Sequence, residues 1–108
     1  MSDDSGDGRD AQPTQSSEGA VTRVLGIVNK KGLHARASAK FVQIVEKFDA
    51  AVRVTRGHET VGGTSIMGLM MLAASPGYSI RVTASGPEAL QVIDALEQLV
   101  ASRFGEEA

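Results

Sequence analysis

The first 20 residues of this 108-residue chain contain almost nothing that a folded core could bury. They are rich in Ser, Asp, Gly and Gln, and their only hydrophobic side chains are Met1, Ala11 and Ala20. Burial in such a segment does not offset the loss of chain entropy on ordering. The sequence therefore predicts a flexible acidic tail over residues 1–20 and one folded domain over residues 21–108.

A domain of this size must be stabilised by its hydrophobic core, because the chain has no cysteine for a disulfide or a thiolate metal site. Its 42% hydrophobic residues are typical of a soluble globular domain. No apolar run approaches the roughly 18 residues that cross a bilayer, so we expect no membrane insertion. The acidic start lacks the pattern of a secretory signal, and the predicted location is cytoplasmic.

Charge is distributed unevenly along the chain. The net charge is −2, which gives no indication of a nucleic-acid partner. Residues 1–20 hold five acidic side chains and one basic one, whereas residues 21–80 hold eight basic and three acidic ones. An anion would be drawn to this positive middle region.

The apolar pattern of residues 21–108 predicts the element order βαββαβα. Alternating apolar residues indicate four strands, and apolar residues at helical spacing indicate three helices. The first helix begins near His34, the second after Ser65, and the third after a capping box formed by Ser85 and Glu88. The third helix is predicted to run through Val100 towards Phe104. The predicted strands are 22–29, 51–55, 59–62 and 78–84.

Each predicted strand has one apolar face, which favours a sheet covered on one side only. The predicted fold class is therefore α+β: a four-stranded, largely antiparallel sheet with three helices on one face, an open-faced β-sandwich.

His34 follows the turn Asn29–Gly32 at the start of the first helix, and Arg36 comes two residues later. A helix start presents unpaired N–H groups and a positive dipole end, which favour anions. A histidine there can bind phosphate or accept a phosphoryl group, and an arginine can hold two phosphoryl oxygens. These residues alone leave open that His34 is only a capping residue. Small side chains nearby would leave the site open to a partner: Ala35, Ala37, Ser38 and Ala39.

Two segments resemble the motifs of a known family. Gly32–Arg36 is similar to the active-site signature of HPr, the histidine phosphocarrier of the phosphoenolpyruvate-dependent phosphotransferase system. Thr64–Met70 is similar to the regulatory serine motif of the same family. The resemblance covers about residues 23–100, and the predicted βαββαβα order is the fold of that family. It implies that His34 accepts a phosphoryl group on Nδ1 and that Arg36 stabilises it.

The resemblance also implies partners. His34 would take the phosphoryl group from Enzyme I, itself charged by phosphoenolpyruvate, and pass it to a histidine of an enzyme IIA-type protein. The chain would then be a carrier and not an enzyme, with no cofactor, and we expect a monomer. A second hypothesis is a regulatory module whose phosphorylation state selects its partners.

The family motif has proline where this chain has Ala37. Proline suits a first helical turn because its missing N–H would be unpaired there, whereas alanine keeps the helix propensity and regains a donor. We expect the site to function with Ala37. In this respect the chain resembles the nitrogen-type branch of the family more than the sugar-transporting branch.

Ser65 precedes the second helix and has two interpretations. A phosphoserine at a helix N-cap places negative charge against free N–H groups, so the fold tolerates it. The resemblance favours regulatory phosphorylation by an HPr kinase/phosphorylase. A plain helix cap would also explain a serine at this position.

The second helix carries more apolar residues than one face of a short helix can bury. Leu69 and Leu72 are assigned to the core. Ile66, Met67 and Met70 are predicted to form a docking patch beside His34, since methionine adapts to several partner surfaces.

Three other features are assigned no function. His58 is predicted to be exposed in a hairpin turn. The two histidines and the scattered acidic residues have no metal-ligand spacing, so no metal is predicted. The segment Gly62–Ser65 is too short for a P-loop and lacks its lysine, so nucleotide binding is not indicated.

Overall fold

The computed structural model describes residues 20–106 of the chain. Its elements follow the predicted order βαββαβα, and a 3₁₀ helix, Arg103–Gly105, is added after the last α-helix. The division into a tail (1–20) and a domain (21–108) stays a prediction, because residues 1–19, 107 and 108 lie outside the described part. The strands are β1 (Val21–Gly26), β2 (Ala51–Arg56), β3 (Glu59–Gly62) and β4 (Ser79–Ser85), and the α-helices are α1 (Ala35–Val45), α2 (Ile66–Met71) and α3 (Ala89–Ala101).

The four strands form one antiparallel sheet in the order β1-β4-β2-β3. Strand β4 lies inside the sheet, where Val82 pairs with Arg23 of β1 and with Val54 of β2. Side chains alternate between the two faces of a strand, so Val54 and Val82 are buried while Val24 on β1 is 63% exposed. The alternation confirms the predicted open-faced α+β fold.

The helices pack on the buried face of the sheet. The largest fully buried side chains come from strands, helices and connecting segments alike, which makes one continuous core. None of the helices within residues 20–106 is long and apolar enough to cross a membrane. The core side chains with the greatest volume are Phe41, Phe104, Ile27, Leu69, Ile80, Ile93 and Leu96.

The predicted capping box at the start of α3 is wrong. Ser85 is the last residue of β4 and pairs with Ala51, so strand pairing takes the residue that the sequence assigned to the cap. Glu88 is the N-cap of α3 and makes no side-chain cap. Its Oε1 instead accepts a hydrogen bond of 2.7 Å from the backbone N–H of Asp49.

The predicted continuation of α3 towards Phe104 is also wrong. The helix ends at Ala101, and both Arg103 and Phe104 have left-handed backbone angles, with φ of 60° and 56°. This turn brings the aromatic ring back into the core, where Phe104 is 1% exposed. Burial of such a ring contributes about 1.5–3 kcal/mol, which opposes the cost of the left-handed backbone.

Helix α2 ends earlier than its sequence suggested. The pair Pro76-Gly77 predicts the end of this helix, but the last helical residue is Met71. Ala73 takes a left-handed conformation with φ of 53°, so the helix does not continue to the proline. The predicted turn between β2 and β3 is confirmed, with Gly57 at a φ of 61°.

Candidate functional site

The loop before α1 is held against the segment that follows α2. Gly32 has a φ of 62°, and a side chain there would overlap the carbonyl oxygen of Ala74. The N–H of Leu33 donates to the same oxygen at 3.0 Å, and the Leu33 side chain is buried. Glycine is therefore required by both the turn and the close contact, and the loop places His34 directly before the first residue of α1.

His34 is the N-cap residue of α1, and its side chain makes no cap hydrogen bond. Its carbonyl oxygen accepts from the N–H of Ser38 at 2.8 Å. The next three N–H groups have no partner one turn earlier in the helix, as at every helix start. This end of α1 therefore offers donors to an anion beside the imidazole.

The small residues of the first turn do not all line the site, as the sequence suggested. Ala35 is exposed. Ala37 and Ser38 are fully buried, so their small size serves the packing of α1 on the core. Ala37, which stands where the family motif has proline, is therefore a packing residue in this structure.

The His34 ring contacts a carboxylate from the other end of the chain. Its Nε2 and Glu106 Oε2 form a hydrogen bond across 72 residues of sequence, with His34 27% and Glu106 18% exposed at their side chains. The second oxygen, Oε1, accepts from Asn29 Nδ2 at 3.1 Å. Both oxygens of Glu106 are thus hydrogen-bonded.

The hydrogen bond from His34 is the main cause that holds the pKa of the Glu106 carboxyl below its ordinary value of 4.5. Burial acts in the opposite direction, and the Asn29 hydrogen bond and the Lys31 charge lower the pKa further. The carboxyl is therefore ionised at neutral pH and can only accept a hydrogen bond. It follows that Nε2 of His34 carries the proton of this contact. Within residues 20–106, Nδ1 makes no hydrogen bond.

Sequence reasoning missed Glu106 and Asn29. Glu106 is one of five acidic residues after Arg81, and no spacing or periodicity distinguishes it from the others. Asn29 was assigned only to a turn. The one available signal was the apolar Phe104 near the end of the sequence, and its helical spacing predicted only a continuation of the last helix.

Arg36 lies on the first turn of α1 and is exposed. It forms no ion pair with another of the described residues. Lys30 and Lys31 are exposed in the preceding turn. These three side chains place positive charge on the surface near the start of α1, where it favours an anion.

Ser65 is the N-cap of α2, and its Oγ accepts from the N–H of Gly68 at 2.9 Å. A side chain at Gly68 would lie 2.9 Å from that Oγ, so the glycine leaves room for the cap. Ser65 is exposed and accessible to a modifying enzyme. The structure confirms the predicted cap.

The predicted docking patch is exposed. Met67 is 70% exposed, while Ile66 and Met70 are exposed at about 40%. Leu69 and Leu72 are buried, which confirms their assignment to the core. Met71, at 71% exposed, extends the apolar surface beyond the three residues predicted.

His58 is exposed in the turn between β2 and β3. It makes no hydrogen bond with the rest of the described chain. No group of three His, Cys, Asp or Glu side chains between residues 20 and 106 is placed to hold a metal ion. The two histidines thus differ sharply in their surroundings.

The family model described as "PTS HPr component phosphorylation site" matches residues 21–102 of the chain. The phosphocarrier protein HPr of Cupriavidus necator is 48% identical over 86 residues, which cover 80% of this chain and 97% of that protein.

Two solved structures from Thermoanaerobacter tengcongensis are also similar. HPr-C-His has a TM-score of 0.78 and 40% identity, and the match covers 82% of this chain and 99% of that chain. An HPr dimer has a TM-score of 0.64 and 41% identity, with 76% and 94% covered. The sequence match and the shared fold lead to the same conclusion. This chain belongs to the HPr family, the phosphocarrier proteins of the phosphotransferase system.

Proposed function

We propose that His34 is the phosphoryl acceptor of this phosphocarrier. It takes the group from phospho-Enzyme I and passes it to a histidine of an enzyme IIA-type protein. The observation that carries the proposal is the contact between His34 Nε2 and the Glu106 carboxylate. This contact keeps a proton on Nε2, so the lone pair available for attack belongs to Nδ1.

The transfer itself needs little covalent machinery. Nδ1 of His34 attacks phosphorus, and the bond between phosphorus and the donor side chain breaks. The ring then carries the phosphoryl group on Nδ1 and the proton on Nε2, next to Glu106. The second transfer repeats these steps with His34 as the donor. The protein contributes position and charge stabilisation.

Arg36 is proposed to stabilise the transferred group together with the N–H groups at the start of α1. Its exposed guanidinium has no ionic partner among the described residues, and its planar fork can bind two phosphoryl oxygens at once. The helix dipole adds a favourable field at the same end. The carrier is proposed to act in the cytoplasm as a monomer.

Ser65 is proposed to be the regulatory site, phosphorylated by an HPr kinase/phosphorylase. Its exposure and its place at the start of α2 support this role. The docking patch of Ile66, Met67 and Met70 begins at the next residue and is proposed to bind both the donor and the acceptor protein. A phosphate on Ser65 would therefore lie at the edge of this contact surface.

The carrier function is tested by incubating the full chain with Enzyme I and phosphoenolpyruvate and measuring its intact mass. The expected result is the addition of one phosphate, located on His34 by peptide mapping under alkaline conditions that preserve phosphohistidine. The His58→Ala variant is the matched control and should gain the same phosphate. An unchanged mass, with active Enzyme I, would favour the regulatory module instead.

A further inference from the structure

The end of the described chain forms a short segment that returns to the site, which we call the C-terminal strap (Arg103–Glu106). It begins directly after α3 and contains three consecutive residues with positive φ, Arg103, Phe104 and Gly105. Such a backbone persists only where its surroundings hold it. The contacts of the strap therefore decide where Glu106 lies.

The first contact is the Phe104 ring, which is buried in the core. The second is a hydrogen bond of 2.7 Å from Lys40 Nζ to the carbonyl oxygen of Phe104. Lys40 lies on α1, the helix that begins at His34. The same helix thus carries the imidazole and holds the strap that reaches it.

The third contact is the amide of Asn29, which is completely buried. Its Nδ2 donates to the carbonyl oxygen of Gly32 at 2.9 Å and to Glu106 Oε1 at 3.1 Å. Its Oδ1 is buried with no hydrogen-bond partner among the described residues. Rotation of the amide would place an oxygen against two other oxygens, so the two donor contacts determine its orientation. A buried oxygen without a hydrogen-bond partner is unfavourable. The two donor contacts of Nδ2 nevertheless hold the amide in this orientation.

We propose that Lys40 and Asn29 are positioning residues that hold the C-terminal strap so that Glu106 occupies Nε2 of His34 and directs phosphorylation to Nδ1. This inference extends the proposed function. It rests on that function for the identity of the physiological phosphoryl donor. Lys40 sets the position of the strap backbone, and Asn29 sets the direction of the carboxylate. Neither residue touches the reacting nitrogen.

The charged groups around Glu106 are consistent with this role. Lys31 adds a favourable electrostatic contribution from the turn before α1. Lys40 Nζ lies close to Gly105 as well as to the Phe104 carbonyl. Within residues 20–106, His34 and Lys31 favour the carboxylate form of Glu106, whereas Lys40 contacts the backbone of the strap.

The test uses phosphoramidate, a small donor that needs no partner protein. A ring nitrogen of His34 attacks phosphorus, the P–N bond breaks, and ammonia leaves from the protonated nitrogen of the reagent. The product carries phosphate on Nδ1 or on Nε2, and ³¹P NMR distinguishes the two isomers. In protein that melting curves show to be folded, the ratio of isomers reports which nitrogen of His34 is available.

The full chain is expected to give mainly the Nδ1 product. Glu106→Ala, Lys40→Met and Asn29→Asp should each raise the share of the Nε2 product, by about tenfold for the loss of one charge-assisted hydrogen bond. In Asn29→Asp a second carboxylate faces Glu106 in place of the donor. Lys40→Arg keeps a donor and should restore the ratio. Lys47→Met, an exposed lysine just beyond α1, is the matched control and should behave as the unchanged chain.

An isomer ratio that stays constant in Lys40→Met and Asn29→Asp, while melting curves show folded protein, would overturn the proposal. A constant ratio in Glu106→Ala would show that Glu106 does not direct phosphorylation to Nδ1, and the proposal would also fail. If the ratio shifts as expected but Enzyme I does not phosphorylate the unchanged chain, then the positioning role stands and the proposed carrier function fails.

Discussion

Helices α1 and α2 both begin at a residue proposed to carry phosphate, but the two starts are built differently. At α1 the His34 side chain does not cap the helix, because its ring is held by Glu106. At α2 the Ser65 side chain caps the helix through Gly68. The N–H groups of α1 therefore remain available to an anion, whereas one N–H group of α2 is already satisfied.

Because of this difference, we expect one side chain to matter for phosphoryl transfer and the other for the stability of the fold. The side chain at position 34 is proposed as the nucleophile and makes no cap, so its removal should affect transfer far more than folding. The side chain at position 65 contributes a cap, so its removal should affect folding more than transfer. The predictions that follow test this contrast, beginning with the largest expected effect.

Replacement of His34 by Ala should abolish phosphoryl acceptance from Enzyme I. The melting temperature should change little, since the side chain does not cap α1. Intact-mass measurement and melting curves check the two parts. Full phosphorylation of His34→Ala would point to His58 and reject the assignment.

Phosphate on Ser65 should suppress phosphorylation of His34 without unfolding the domain. About two negative charges would meet a partner surface that fits the apolar patch, while the start of α2 accommodates them. Ser65→Asp carries one charge and should give a smaller effect of the same sign. Transfer rates from Enzyme I, with melting curves alongside, measure both. Equal rates for all forms would leave Ser65 as a cap only.

Arg36→Lys should slow transfer roughly tenfold, because an ammonium keeps the charge but does not hold two phosphoryl oxygens in a planar fork. Binding of the unphosphorylated protein to Enzyme I should stay the same. Rapid-quench transfer rates and calorimetric binding separate the two quantities. If Lys supports the same rate, then Arg36 supplies only a general positive field.

Ser65→Ala should destabilise the fold by about 1 kcal/mol through the loss of the cap, and leave transfer to His34 nearly unchanged. For a domain of this size the melting temperature should fall by about 4–8 °C. Ser65→Asn retains a capping side chain and is the control. An unchanged melting temperature in Ser65→Ala would contradict the observed cap.

The contact between His34 and Glu106 should give a small acid-dependent loss of stability. The pKa of Glu106 is lowered in the folded state, so the carboxylate stabilises the fold above the ordinary carboxyl pKa of 4.5. That contribution is lost as the pH falls through the lowered pKa. Denaturant unfolding of the full chain and of Glu106→Gln, between neutral pH and pH 3, should show curves that converge at the acid end. If the two curves stay parallel, then Glu106 does not cause the acid-dependent loss of stability.

Much of the fold could be predicted from local pattern. Apolar residues at helical spacing located α1 through Phe41 and Val45, and alternation located β2 and β3. Two of the errors arise because a second element competes for the same residue. Ser85 suits a helix cap, but it is the last residue of β4 and pairs with Ala51 of β2. Phe104 continues the helical spacing of α3, but its ring reaches the core only after a left-handed turn.

The sequence by itself determined the parts of the site that depend on neighbours in the chain. The turn at Gly32, the start of α1 and the positions of His34, Arg36 and Ser65 follow from short-range rules of turns and caps. Only the tertiary structure decided which nitrogen of His34 is held. That choice depends on Glu106, 72 residues away, and a contact between distant residues is set by how the core packs and not by any local spacing.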